Sequence, residues 1–323
     1  MFFSIFLAGC ATAPREPAGK LADAGIAATN AFATDVRDTA AGLRAVDSFD
    51  SFTATYAVCR NTALTCEPQL KSKANAEARE ALARTIELRA VAIEKLGGAY
   101  KAFKAEADYD AKGELMSATN GAIEGVNNFA SSVATFAGVP QAALLSKPLA
   151  TIVSFGTGQF AGNAQRKRLL RGSREISITT QRFRGALAAE AYVFDDLADN
   201  IEKSRRDAKL TLIDAKLVSQ QEALSILADH LGVKPVSNAE AIIDASPAAT
   251  MALRSVVAAQ SRAEVRKVRA KYQAALDALD ALIAAHRDLE ATGTVSLADV
   301  SRFLAELDLA LSQVKETSNV DQP

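Results

Sequence analysis

Apolar residues recur at three- and four-residue spacing along most of the chain, which is the period of amphipathic helices. This pattern predicts a first helix over residues 20–55, with Phe32 and Val36 on its apolar stripe. A second helix is predicted over 74–109 and a third over 175–230, before the break at Gly232-Val233-Lys234-Pro235. No segment of any length shows the alternation of a β-strand.

The last third of the chain carries the most regular apolar pattern. A capping box of Ser237 and Glu240 predicts a short helix, and Ser246 followed by Pro247 opens a long one that runs to about residue 290. Its heptad seam consists of Val265, Val268, Tyr272, Ala275, Leu279, Leu282, His286 and Leu289. A helix of that length is a rod of about 66 Å, and such rods pack side by side.

The centre of the chain is apolar and rich in glycine. An antiparallel hairpin over about 114–165 would align two G-x-x-x-G pairs, because the pairs share one midpoint. Gly121 would then face Gly162, and Gly125 would face Gly158. Small residues at such positions allow two helix backbones to approach closely. The spacing therefore predicts glycine-mediated packing within this hairpin.

Two interpretations of the apolar hairpin stay open. The favoured one is a pair of helices fully buried within the bundle, since a helix that is apolar all round is normally surrounded by protein. The alternative is a membrane-active hairpin on a long helical body, a layout similar to helical pore-forming toxins. Residues 125–146 carry no charge, but Asn127, Asn128 and Pro140 weaken any claim to a membrane span.

Five basic residues follow the hairpin with no acidic residue among them. They are Arg166, Lys167, Arg168, Arg171 and Arg174. Such a cluster is most often a solvated helix face that pairs with nearby acids. It is also the pattern that contacts anionic headgroups or acidic polymers.

Composition narrows the class of fold. The chain of 323 residues has no tryptophan and 8 prolines, and alanine supplies much of its 49% hydrophobic content. We therefore predict an all-α protein, an elongated antiparallel bundle of long helices with a glycine-rich apolar central hairpin. The net charge of −1 gives no strong attraction for nucleic acid, so none is expected as a partner.

The N-terminus resembles the signal of bacterial lipoproteins. An apolar run precedes Leu7-Ala8-Gly9-Cys10, which has the pattern of a lipobox. The resemblance implies that Cys10 is lipidated and becomes the mature N-terminus, with the protein anchored to a membrane through its acyl chains. The basic residues that usually open such a signal are absent from this run, which leaves the position of the start codon open.

The resemblance also implies a location and a division of the chain. Ala11 stands where many such lipoproteins carry the aspartate that retains them at the inner membrane, so the outer membrane, facing the periplasm, is favoured. We assign residues 1–9 to the signal peptide, 10–19 to a lipidated flexible tether, 20–316 to the helical bundle and 317–323 to a tail.

Two further cysteines, Cys59 and Cys66, flank a short polar link between predicted helices. A disulfide is the favoured interpretation, because the chain is expected in an oxidising compartment. A metal site is the rival, although no histidine lies near and two thiolates do not complete a zinc shell. The disulfide would pin a corner between two helices.

The sequence contains few groups suited to catalysis. Residues 156–161 match a dinucleotide fingerprint, but no strand–helix alternation surrounds them, and the S-x-x-K match at 312–315 lacks its partner motifs. His286 is expected as a satisfied histidine on the heptad seam. We therefore expect no catalytic residue, no metal and no cofactor. The expected role is a non-enzymatic spacer, adaptor or assembly factor with an envelope protein as partner.

Overall fold

The computed structural model describes residues 14–60, 66–70, 73–108, 113–138, 164–306 and 309. Within these residues every regular element is a helix, which confirms the all-α class. The helices are α1 (Arg15–Cys59), α2 (Lys73–Asp108), α3 (Glu114–Ala137), α4 (Ala164–Asp214), α5 (Gln221–Leu231), α6 (Ala239–Ala245) and α7 (Pro247–Thr292). Residues 298–306 are helical as well.

The beginning of α1 corrects the predicted tether. Residues 10–19 were assigned to a flexible linker, yet α1 begins at Arg15, and both Pro14 and Ala18 are buried. Pro17 is compatible with this because it lies in the first turn, where a backbone N–H has no helical acceptor. Glu16 lies in the same turn and interacts favourably with the helix dipole.

The predicted helix over 175–230 is also wrong as a single element, because α4 ends at Asp214 and α5 begins at Gln221. Lys216 adopts the left-handed conformation, with φ of 56°. The amide of Leu217 donates to Leu212 O and the amide of Lys216 donates to Ile213 O, the two bonds of a Schellman ending. Glycine usually occupies this position, so the sequence carried no ordinary stop signal here.

Two helix starts were predicted in the last third of the chain, and the structure confirms one of them. Ser246 Oγ accepts a hydrogen bond from the amide of Ala249 at 3.3 Å, which confirms the predicted N-terminus of α7. The predicted capping box of Ser237 and Glu240 is wrong, because Asn238 is the N-cap of α6 and makes no side-chain capping bond.

The chain forms two compact units. Unit 1 contains residues up to 35, residues 88–189 and residues from 274 onward, whereas unit 2 contains 36–87 and 190–273. Each long helix other than α3 therefore contributes one part to each unit.

In unit 1, α1 and α2 pack antiparallel, since Asp23 pairs with Lys104 at 2.5 Å and Gly97 lies against Thr29. Helix α3 packs in the same unit and buries one face. The rings of Phe129 on α3 and Phe183 on α4 lie 5.6 Å apart. The first half of the predicted apolar hairpin is thus part of a protein core, and residues 139–163 lie outside the described part of the chain.

In unit 2, a second core forms where α4 ends and α7 begins. Ile213, Ile243, Leu253 and Val257 are buried together, with Leu224 of α5 packed against them. This small cluster is what holds the short helices α5 and α6 in place.

Candidate functional site

A buried polar network joins three helices of unit 1. Tyr100 on α2 places its hydroxyl 3.1 Å from Nε2 of His286 on α7, and Ser173 on α4 places Oγ 2.8 Å from Nδ1 of the same ring. Thr180 Oγ1 lies 3.4 Å from the Tyr100 hydroxyl. All four side chains are excluded from solvent. Both nitrogens of His286 therefore have a partner, as expected for a histidine on the heptad seam.

Burial controls the protonation of this network. Desolvation lowers the pKa of His286 to about 3, so the imidazole is neutral at physiological pH. Desolvation also raises the pKa of Tyr100, and the Thr180 hydrogen bond opposes this effect. Glu290, whose Oε1 lies 3.5 Å from Ser173 Oγ, has its pKa raised by partial burial. The network is consequently neutral at its centre.

A serine next to a histidine is the arrangement that activates a nucleophile in hydrolases, provided that substrate can reach it. Here Ser173 and His286 have no exposed surface, and the rings of Phe103 and Tyr100 pack beside the imidazole at centroid distances of 6.1 and 5.7 Å. The arrangement satisfies buried polar groups and selects one packing of α2, α4 and α7.

A second cluster joins the start of α1, the end of α2 and the start of α4. Arg15 Nε donates to Gln165 Oε1 at 2.8 Å, and Gln165 Nε2 donates to the carbonyl of Glu106 at 2.8 Å. The Glu106 carboxylate is buried and accepts from Arg168 Nε at 2.8 Å. Pro14 lies on the same side, with its Cβ 3.8 Å from the position that a Cβ on Gly293 would take. The N-terminus of the helical body is thereby held against α4 and the end of α7.

The predicted basic cluster lies at the start of α4 and divides into two groups. Arg168 pairs with Glu106, Arg166 is half-buried, and Arg174 interacts electrostatically with Glu290. Lys167 and Arg171 are exposed and one helical turn apart, and they make no ion pair within the described residues. We call these two residues the basic stripe.

The predicted disulfide is present. Cys59, the last residue of α1, is bonded to Cys66, and their Cα atoms lie 5.4 Å apart. Two further contacts hold the following segment on α1: Ser51 Oγ donates to the carbonyl of Gln69, and the amide of Gln69 donates to Thr55 Oγ1, each at 2.8 Å. The described segment 66–70 is therefore held on the end of α1 both covalently and by hydrogen bonds.

A shallow cleft of about 610 Å³ lies along this part of α1 in unit 2. Phe52, Tyr56 and Leu70 supply its apolar walls. Two of its polar groups are already engaged, because Asp47 pairs with Arg79 and Ser51 binds the Gln69 carbonyl. The cleft offers no pair of groups for acid–base or nucleophilic chemistry.

The structure describes two of the four glycines that were predicted to pack across the central hairpin. A Cβ on Gly125 would lie 3.3 Å from Cα of Ala92, so this glycine permits close approach of α3 to α2. A Cβ on Gly121 would meet nothing within 4 Å. Gly158 and Gly162, which were predicted to face them, lie outside the described residues, as does Cys10.

Unit 2 exposes a segment rich in large apolar side chains that the apolar periodicity did not predict. Of the fourteen large apolar side chains that are exposed among the described residues, eight fall within residues 217–251, which we call the apolar segment. They are Leu217, Val218, Leu227, Leu231, Val233, Val236, Ile242 and Met251. Leu231 and Val236 are 66% and 60% exposed, and a concentration of large exposed apolar side chains is a feature of interaction surfaces.

Among the described residues, no group of three or more His, Cys, Asp or Glu side chains is placed to hold a metal ion. None of the described helices combines the length and apolarity needed to cross a bilayer. Comparison of the chain with protein-family models, curated proteins and solved structures found no match.

Proposed function

We propose that this protein is a lipid-anchored adaptor or assembly factor of the bacterial cell envelope, and that it binds a partner protein without catalysing a reaction. The observation that carries the proposal is the apolar segment, 217–251, in which eight large apolar side chains are exposed. The buried cluster around Ile213 and Ile243 packs against α5 and anchors α6, and the exposed apolar side chains lie partly on these helices and partly in the turns that connect them. A surface of this kind supports recognition of a protein rather than of a small polar substrate.

The lipobox at Leu7–Cys10 supplies the proposed anchor. Because Pro14 is already buried, the link from Cys10 to the helical body is four residues long at most, and it spans no more than about 14 Å. The body would therefore begin close to the membrane surface, not at the end of a ten-residue tether. Two or more acyl chains on Cys10 would attach the protein stably to the membrane, whereas a single chain gives only marginal binding.

The proposed lack of catalysis is supported by the chemistry of the described residues. The Ser173–His286 pair is excluded from solvent, and the Asp47 carboxylate in the cleft on α1 is paired with Arg79. Arg168 and Glu106 form an ion pair between two helices, and Arg205 and Glu202 form one within a helix.

Site-specific photo-crosslinking in cells tests the adaptor role. A photoreactive residue at Leu231 or at Val236 should yield adducts with the same envelope protein, because both side chains are exposed within the apolar segment. The matched control is Arg266, an exposed residue of α7 in the same unit. Leu231→Asp should abolish the adduct formed from position 236 and leave the unfolding temperature unchanged. Identical adducts from all three positions, or none, would overturn the proposal.

Labelling cells with palmitate tests the anchor separately. The native chain should incorporate label and sediment with membranes, whereas Cys10→Ser should incorporate none. The Cys59→Ser/Cys66→Ser variant is the matched control, since it removes the other two cysteines and should be labelled normally. Label that persists in Cys10→Ser, or that is absent from the native chain, would refute the anchor.

A membrane-active role for the central hairpin is the second candidate, and it is distinguished by vesicle leakage. Helix α3 would have to leave a core in which Phe129 and Val126 are fully buried. If the native protein releases a dye from vesicles and Gly125→Glu does not, the hairpin enters bilayers. If neither leaks and Gly125→Glu lowers the unfolding temperature, α3 is core, as its contact with Ala92 implies.

A further inference from the structure

The basic stripe, Lys167 and Arg171, places two exposed positive charges on the surface of unit 1. The two residues are four positions apart, so their side chains lie on the same face of α4. Neither makes an ion pair within the part of the chain that the structure describes. Lys167 lies in the first turn of α4, where the helix dipole adds positive potential, and Arg171 lies one turn further on.

Three acidic residues of unit 1 are engaged elsewhere, and Glu175, one turn beyond Arg171 on α4, forms no ion pair with it in the described structure. Glu106 is buried against Arg168 at 2.8 Å, and Glu16 pairs with Lys20 at 2.7 Å. Asp23 pairs with Lys104 at 2.5 Å. The exposed positive charge of the stripe therefore faces solvent without a compensating acid from these pairs.

The stripe lies at the end of unit 1 where the chain emerges from residues 1–13. Arg15 is hydrogen-bonded to Gln165, and Gln165 precedes Lys167 by two residues on α4. The link between Cys10 and Pro14 spans about 14 Å at most. A lipid on Cys10 would thus bring the start of α4 to the depth of the phospholipid headgroups.

We propose that Lys167 and Arg171 bind the phosphate groups of anionic phospholipids and hold this end of unit 1 against the membrane surface. The inference deepens the proposed function and rests on its lipid anchor for the orientation of the body. Charge complementarity identifies the occupant, because lysine and arginine side chains close to a bilayer are attracted to anionic headgroups. The anchor supplies attachment, and the stripe sets which end of the protein faces the lipid.

The test is co-sedimentation of the full chain carrying Cys10→Ser with lipid vesicles at low ionic strength. Binding should be stronger to vesicles that contain phosphatidylglycerol than to vesicles of phosphatidylcholine alone. The apolar residues 1–9 contribute to both measurements, so the difference between the two vesicles reports the charge interaction. Lys167→Glu/Arg171→Glu should lower binding to phosphatidylglycerol vesicles by about tenfold or more and leave binding to phosphatidylcholine unchanged.

The matched control is Arg262→Glu/Arg266→Glu on α7 in unit 2. These residues are also exposed, four positions apart and without an ion pair among the described residues, and their replacement changes the net charge equally. This variant should keep its preference for phosphatidylglycerol. Equal binding to both vesicles by the parent chain, or equal losses in the two variants, would overturn the proposal.

The two proposals fail separately. Palmitate labelling reports only on Cys10, whereas the vesicle preference is measured on a chain that has no lipid. An unlabelled chain with a phosphatidylglycerol preference that depends on Lys167 and Arg171 would refute the anchor and retain the headgroup contact. A labelled chain without that preference would refute the headgroup contact alone.

Discussion

Oγ of Ser173 lies 2.8 Å from Nδ1 of His286, and neither side chain has any exposed surface. The second ring nitrogen is engaged by the Tyr100 hydroxyl, so the imidazole bridges α4 and α2 from its position on α7. A buried histidine with both nitrogens satisfied specifies how three helices fit together. Replacing His286 should therefore change the stability of the protein and the way in which that stability depends on pH.

His286 should make the protein less stable in acid. Its pKa is about 3 in the folded protein and near 6.5 when exposed, so below pH 6.5 the unfolded chain binds a proton that the folded chain excludes. The free energy of unfolding should fall by about 1.4 kcal/mol for each pH unit through this window. The measurement is urea unfolding of the native protein and His286→Gln from pH 7 to pH 4.

The comparison between the two proteins isolates this residue. Glu290 has a raised pKa, which acts in the opposite direction because its folded form retains a proton at higher pH, and it is present in both proteins. The stability difference between native and variant should shrink as the pH falls. A constant difference would show that His286 is protonated in the folded state.

Gly25 permits α1 to pack directly on the ring of Tyr100. A Cβ at this position would overlap the ring atoms, and Tyr100 is fully buried and cannot move aside. Gly25→Ala should lower the free energy of unfolding by about 1–3 kcal/mol. Gly185→Ala on α4 is the matched control, since a Cβ there meets nothing within 4 Å and alanine favours helix by about 1 kcal/mol. Equal thermal shifts in the two variants would contradict this packing.

Arg168 compensates a carboxylate that is cut off from water. The Glu106 side chain is 1% exposed, whereas Arg168 is 33% exposed. Arg168→Ala should destabilise the protein by about 2–3 kcal/mol, because it removes the cationic partner of a buried charge. In a Glu106→Gln background the same substitution should cost less, which chemical denaturation of the four proteins in a double-mutant cycle measures.

The neighbouring Lys167 supplies the control for Arg168. Its side chain is exposed, and Lys167→Ala should change stability by less than about 0.5 kcal/mol. A comparable loss at both positions would mean that general charge, and not the Glu106 contact, stabilises this end of unit 1.

The Cys59–Cys66 disulfide should stabilise the protein by restricting the unfolded chain. Closing so short a loop corresponds to about 2–3 kcal/mol in the chain-entropy model. Cys59→Ser/Cys66→Ser should lose this amount in urea unfolding under oxidising conditions. Under reducing conditions the native protein should match the variant, and a difference that persists would point to effects of the serines themselves.

Much of the helical layout could be predicted from the sequence. The helix predicted over 74–109 spans Lys73–Asp108, because its apolar period continues without a break and dominates local structure. The end of α4 could not be predicted, because Lys216 adopts a left-handed conformation that glycine usually provides. The start of α1 at Arg15 was not predicted either, because Pro17 is typical of a linker and yet is tolerated in a first helical turn.

The candidate sites were also predictable from the sequence only in part. The disulfide was predictable because Cys59 and Cys66 form a pair in a chain expected in an oxidising compartment, and the basic residues from Arg166 to Arg174 were visible as a run. Which of those residues remain available was not predictable, because Arg168 meets Glu106 from 62 positions away. The apolar segment was missed for a related reason, since periodicity does not show whether another element covers a helix face.

The sequence by itself determined the helical class, the period of each buried face and the cysteine pair, since all of these depend on neighbours within a few turns. Only the tertiary structure decided that Tyr100 and His286, separated by 186 positions, share a hydrogen bond, and that Lys167 and Arg171 are left exposed. The physical reason is that burial and pairing between distant segments arise only once the helices pack. Local periodicity selects the face that each helix buries, and it carries no information on the partner that covers it.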